Sequence, residues 1–188
     1  MKIRAFPLLL AALATAASAP ALAFFNPNLT QLVAFVGAAK HAKPAHSLTG
    51  YAGRVLDGDT FYMQIDGQPT RIRLAQIDTP ERGQPFGRRA GQSLQNMIEG
   101  VPITITWRTL DGRGRPIAQV VANGIDVNAE QVRRGFAWVY RQYATDRSLD
   151  ALEAEARKAG RGLWADANPV PPWEWRKAHP KDERQGRD

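Results

Sequence analysis

The sequence predicts an α+β fold built on a small closed or partly closed β-barrel, and three observations carry that prediction. Strand-like segments cluster at residues 51–55, 61–65 and 70–77, then again at 101–107 and 117–127. Helical patterns fall between and after them, without the regular strand–helix–strand alternation of a parallel sheet. At 188 residues, 44% of them hydrophobic and 23% charged, the chain suits one domain with a sizeable core plus short appendages.

Each element has a local reason. Residues 51–55 and 61–65 carry strand signals, and "DGQP" (66–69) turns the chain into "TRIRLAQI". Val101, Ile103, Ile105 and Trp107 alternate with polar residues, as in a half-buried strand. Asn123-Gly124 between two apolar runs favours a type I′ hairpin. The spacing of Ala90, Leu94, Met97 and Ile98 predicts a helix over 86–98, stopped by Gly100. A short helix follows Asn128, which is placed to cap it while Gln131 reaches back, and Gly135 ends it. A third helix starts at Ser148, with Asp150 and Glu153 early, Arg157 and Lys158 late, and Gly160 as its stop. That charge order complements the helix dipole.

The termini are of a different kind. Lys2 and Arg4, an apolar run and then Ala21-Leu22-Ala23 make residues 1–23 a signal peptide, with cleavage expected after Ala23. The mature protein is therefore expected in the periplasm or outside the cell, with no membrane span. Residues 24–47 form an N-terminal segment and linker, with a short helix expected over 29–39. The folded domain spans 48–166. Residues 167–188 are a tail rich in proline, tryptophan and charge, whose tryptophans can dock on the domain.

A net charge of +7 favours polyanionic partners, nucleic acid first and an anionic membrane surface second. The absence of cysteine excludes disulfides, thiolate metal sites and thiol nucleophiles. His41, His46 and His179 all lie outside the predicted core, so a zinc site is not expected.

The chemistry concentrates in the first hairpin. With residues 66–69 as its loop, Phe61, Met63 and Ile65 face Leu74, Ile72 and Thr70 on one largely apolar face. Carried outward, that register sets Asp59 opposite Gln76, with Asp78 as a diagonal neighbour within roughly 8 Å. Taken alone, Asp57-Gly58-Asp59 reads as a tight turn and each arginine as a solvated charge. The pairing shifts the reading, because two carboxylates on a core face need compensation, and a hard divalent cation supplies it. Pro80 ends the ladder and leaves the Thr79 carbonyl as a third oxygen donor. Glu81 is near enough to orient or deprotonate a water there, and Arg73 and Arg115 suit a phosphate. Simple alternation nevertheless sets Arg73 on the face opposite Asp59 and Asp78, so a bulge or barrel curvature must re-aim one of them.

The run "VLDGDTF…RIRLAQIDTPE…QPFG…A", followed by "DGRGRPIAQV", "VNAEQVRRGFAWV" and "GLWAD", resembles the staphylococcal (micrococcal) nuclease family, the thermonucleases. The resemblance covers roughly residues 48–166. It implies a five-stranded OB-type barrel with three helices, acting as a Ca²⁺-dependent phosphodiesterase on DNA and RNA and leaving 3′-phosphate ends. By the same resemblance Asp59 and Asp78 are the metal carboxylates and Thr79 the backbone-carbonyl ligand. Glu81 is the residue proposed as general base, Arg73 and Arg115 are the phosphate-binding pair, and Asp57 is a supporting carboxylate. Arg113 stands where the type member has a tyrosine, and Tyr140 and Tyr143 match the downstream tyrosines that contact the nucleotide. A monomer is expected. Two readings compete: a non-catalytic OB-type nucleic-acid-binding protein of the cell envelope, and a basic envelope scaffold for anionic polymers.

Overall fold

Asp66 and Gly67, with φ of 50° and 74°, form the tip of the first hairpin. The computed structural model of the chain describes residues 44–180, and in it this two-residue turn joins β2 (Thr60–Ile65) to β3 (Gln68–Leu74). Positive φ at both central positions is the type I′ geometry that matches strand twist. The turn is therefore two residues long, not the four that "DGQP" suggests, and Phe61 pairs with Ile72 and Ile65 with Gln68. The register differs from the expected one by two residues. An even slip leaves every side chain on its face, so Phe61, Met63, Ile72 and Leu74 are still buried together.

The other strands close around this hairpin. Strand β1 (His46–Val55) pairs with β2 on one side and with β5 (Pro102–Leu110) on the other. Strand β5 pairs with β6 (Pro116–Ala122), and β6 runs parallel to β3 through Arg73↔Ile117 and Leu74↔Ala118. Five strands thus make a closed barrel of the OB type. Its interior holds Phe61, Ile72, Leu74, Ile103, Ile105 and Val120. Bulges in β1 and β5 supply the curvature that closure needs. The expected hairpin at Asn123-Gly124 is present, with φ of 51° and 76°, and joins β6 to the two-residue β7 (Ile125–Asp126). A separate short ladder pairs β4 (Ile77–Asp78) with β8 (Trp138–Val139).

Among the described residues four α-helices accompany the barrel, one more than the three expected for the domain. Helix α1 (Gly87–Ile98) buries Ala90, Leu94 and Ile98, and Gly100 with φ 71° follows it. Helix α2 (Val127–Arg133) is capped by Asp126, whose side chain accepts from the Ala129 N–H. Asn128 and Gln131 are not a capping pair: both are buried and bond to backbone elsewhere. Asn128 donates to the Ala75 and Ala118 carbonyls and accepts from Val120, tying β3's exit to β6. Helix α3 (Ser148–Lys158) has the expected charge order, but Glu153 is buried and accepts from the Val139 N–H and Arg141. Helix α4 (Pro172–Ala178) starts at a proline, whose fixed φ suits a first turn. Tail residue Trp173 packs on Trp138 and stacks on Tyr140. No helix among the described residues is long and apolar enough to cross a membrane. The expected signal peptide and the helix over 29–39 lie outside the described residues.

Candidate active site

Asp57-Gly58-Asp59 forms the bend that leads into β2, where the Asp57 carboxylate accepts the Asp59 N–H at 3.0 Å. That bend is pressed against two neighbours. A Cβ on Gly58 would lie 2.6 Å from Ala90 Cβ and 2.8 Å from Thr79 Oγ1, so only glycine fits. The Gly58 carbonyl accepts from buried Gln131, which also donates to Ala90. Helices α1 and α2 thereby clamp the turn that carries Asp59.

Asp78 arrives by a different route. After β3 the chain turns sharply at Gln76, whose φ of 68° is rare for a residue with a side chain. The Gln76 amide oxygen is held by the N–H groups of Thr145 and Asp146, and β4 then pairs Asp78 with Trp138. Asp59 and Asp78 therefore meet through a bend and a kink rather than along straight strands. This also eases the difficulty with Arg73. Asp78 lies beyond the kink, off any regular continuation of β3, so strand alternation does not constrain it. Asp59 sits at the bend, with its carbonyl still accepting the Leu74 N–H. The Arg73 guanidinium bridges the two acids, 2.8 Å from Asp59 Oδ1 and 2.8 Å from Asp78 Oδ1.

The corner is buried and highly charged. Asp59 and Asp78 side chains are 3% and 1% exposed, and Asp59 also accepts from Thr60 Oγ1 and the Thr79 N–H. Burial works against the Arg73 charge, but Asp59 and then Asp78 more than offset it and hold the guanidinium firmly protonated. Burial, and next the neighbouring Asp59 charge, push the Asp57 carboxyl up to about 7. Glu81 follows at the mouth of the corner, where Gly87 lets α1 approach: a Cβ there would overlap the Glu81 carbonyl.

A cleft of about 590 Å³ opens in front of this corner. Arg73, Glu81, Arg113 and Arg115 line it, with Asp57 and Thr60 at its floor. Arg115 comes from the β5–β6 turn, held by a 2.7 Å ion pair to Asp111. Tyr140 and Tyr143 are not among the cleft's lining residues. They pack edge to face on one another, and Tyr140 borders a separate hollow with Trp173 and Lys177.

The far wall belongs to α4, which sequence reasoning missed. Arg176 reaches Asp78 at 2.7 Å and Glu81 at 3.0 Å. Burial opposes its charge, and Asp78 followed by Glu81 raises its pKa well above the ordinary value. The available signal was "WEWRKAH", tryptophans and cations at helical spacing straight after two prolines.

Among the described residues no three His, Cys, Asp or Glu side chains gather closely enough to hold a metal by themselves. Two buried carboxylates at a backbone corner still fit a hard cation, provided that a carbonyl and waters complete the oxygen shell. Here, guanidinium arms from Arg73 and Arg176 neutralise those acids.

Residues 71–166 match the family model for the staphylococcal nuclease homologue. The chain belongs to the staphylococcal nuclease family. A protein of Escherichia coli O157:H7 described as an uncharacterized endonuclease is 47% identical over 128 residues, covering 68% of this chain and 84% of that protein. A micrococcal nuclease of Shigella flexneri is 39% identical over 140 residues, covering 69% and 80%. Staphylococcal-like nuclease CAN1 of Arabidopsis thaliana is 41% identical over 107 residues, covering 57% and 33%. The match to the staphylococcal nuclease model begins at Arg71 and ends at Asp166. Of the corner, Arg73, Asp78 and Glu81 fall inside the matched range, while Asp59 and the whole of α4 fall outside it.

Proposed function

We propose that this member of the staphylococcal nuclease family is an exported, Ca²⁺-dependent phosphodiesterase that hydrolyses DNA and RNA with little sequence preference. The observation that carries the reading is Arg73 spanning buried Asp59 and Asp78 at the back of a cleft that Glu81, Arg113 and Arg115 also line. Asp59, Asp78 and the Thr79 carbonyl are the residues that would hold Ca²⁺. When bound, the ion supplies a fixed positive charge beside the phosphoryl oxygens and lowers the pKa of water near it.

The chain's own groups do the rest. Arg73 and Arg115, which both line the cleft, bind the scissile phosphate and the charge that builds on it. Glu81 accepts the proton of a water that adds to phosphorus in line with the leaving oxygen. The P–O5′ bond breaks, the leaving 5′ oxygen takes a proton from solvent, and the other fragment keeps a 3′-phosphate. Asp57 supports Asp59 through its bond to the Asp59 N–H and does not touch the phosphate. Export follows from the amino-terminal pattern of residues 1–23.

The direct test incubates the mature protein with single-stranded DNA, duplex DNA and RNA, with Ca²⁺ or with chelator, and identifies the end groups. Ca²⁺-dependent cleavage leaving 3′-phosphates is expected. A folded protein that cleaves none of them would refute the proposal, and Glu81→Ala should abolish turnover while leaving salt-dependent binding in place.

A further inference from the structure

One side of α4 faces the cleft, which Trp175, Arg176 and, just past the helix end, His179 line. Trp173, on the other side, anchors the helix against Trp138 and Tyr140, so the cleft-facing side is held in place. On the cleft side Trp175 is half-buried and stacked on His179, one turn later, with ring centroids 3.8 Å apart and planes inclined by 16°. Arg176 beside them ties the helix to Asp78 and Glu81.

Trp175 also borders an adjoining hollow of about 720 Å³, walled by Pro85, Phe86, Arg88 and Arg89. Arg82 lines both spaces. A flat aromatic pair thus stands between two groups of arginines: Arg73, Arg113 and Arg115 on one side, Arg88 and Arg89 on the other. A single-stranded polynucleotide has the complementary repeat, a flat base between two phosphates, and base–aromatic stacking is indifferent to sequence.

We propose that α4 and the first turn of α1 form a nucleotide subsite beside the acidic corner, with a base stacked on the Trp175–His179 pair and its phosphate held by Arg82 and Arg88. The proposal rests on the strand occupying the cleft as in the nuclease reading, and it adds where the neighbouring nucleotide goes.

The test measures binding of a fluorescein-labelled single-stranded octadeoxynucleotide to the full chain in chelator, alongside an abasic octamer of the same charge. Trp175→Ala should weaken the base-bearing octamer roughly 5- to 150-fold and leave the abasic one unchanged. Trp175→Phe, which keeps a flat ring, should retain most of the affinity. The pair Arg82→Gln and Arg88→Gln should weaken both octamers and reduce the slope of log K against log salt by about 0.7, as expected for one phosphate no longer neutralised. Glu174→Gln, which does not line the cleft, serves as the control and should change nothing. The subsite is overturned if Trp175→Ala binds both octamers like wild type, if it weakens both equally, or if Ala and Phe lose affinity alike. Wild-type cleavage run in parallel separates the two ideas. Cleavage with no Trp175 effect refutes the subsite alone, and base-dependent binding without cleavage refutes the nuclease reading alone.

Discussion

Gly58→Ala tests how tightly the acidic corner is built. The new Cβ would sit 2.6 Å from Ala90 Cβ, 2.8 Å from Thr79 Oγ1 and 2.9 Å from Thr79 Cβ, all below contact distance. None of these neighbours is the free end of a long side chain: Ala90 lies in α1, and Thr79 is buried at the end of β4. Relief must come from the backbone, and overpacking of this kind costs about 1–3 kcal/mol. For a domain of this size that is roughly 3–15 °C in Tm. The movement also strains the 2.6 Å bond from Gln131 to the Gly58 carbonyl and separates Asp59 from Thr79, now joined at 3.1 Å. A displacement near 1 Å at reacting groups costs on the order of 10²-fold in rate. Gly67→Ala is the comparison. Gly67 has φ +74° and nothing within 4 Å of a built Cβ, so that variant bears only backbone strain, about 1 kcal/mol, far from the corner. Urea unfolding and oligonucleotide cleavage, run on both variants, give the answer. If Gly58→Ala matches wild type in both, or loses stability while keeping full cleavage, the claim that this glycine seats the carboxylates is wrong.

Three other outcomes follow from the same geometry. Arg73→Gln leaves two buried carboxylates without their shared partner and should destabilise the protein by about 3–5 kcal/mol in chelator, with added Ca²⁺ restoring much of it; calorimetric Tm with and without the ion checks this. Arg176→Gln should tighten Ca²⁺ binding about five-fold in the absence of nucleic acid, since that half-buried arm competes for Asp78 and Glu81; isothermal titration would expose an unchanged or weakened affinity. Asp57 has a folded-state pKa raised from 3.8 to about 7, so between these values the folded state holds more protons than the unfolded one. Its contribution is fully present below pH 4 and is lost as pH rises through 7. Asp57→Asn should flatten that fall in urea-derived stability, and an unaltered slope from pH 4 to 7 would contradict the assignment.

The strands were legible because alternation and turn chemistry are local. Asn123-Gly124 declared its hairpin, and Asp66-Gly67 has the same form, although Pro69 made a longer loop look reasonable. That two-residue error did no harm to the faces, since a side-chain period of two forgives even slips. The convergence of Asp59 and Asp78 was foreseen, yet the structure reaches it by a kink at Gln76. A non-glycine residue in the left-handed region leaves no mark in sequence, because contacts with residues 145 and 146 hold it there. Asn128 resembles a cap in sequence for a similar reason, since its bonds run to β3's exit and β6 rather than to its own helix. Helix α4, with only seven residues, is too short for periodicity to reveal, and its docking on Trp138 and Tyr140 is a tertiary matter.

The parallel pairing of β3 with β6 has a consequence for how the protein comes into being. It rests on two residue pairs, Arg73↔Ile117 and Leu74↔Ala118, and together with the β1–β5 ladder it joins the β1–β2–β3 meander to the β5–β6 hairpin, each of which can form from local contacts. Bringing such distant segments together meets its entropic cost before the reward arrives, which marks closure as a late event in folding. Asp59 and Arg73 belong to one unit and Arg115 borders the other. A chain that has not closed its barrel therefore holds every reactive group and no assembled site, so the capacity to cut would arrive with the last ladder.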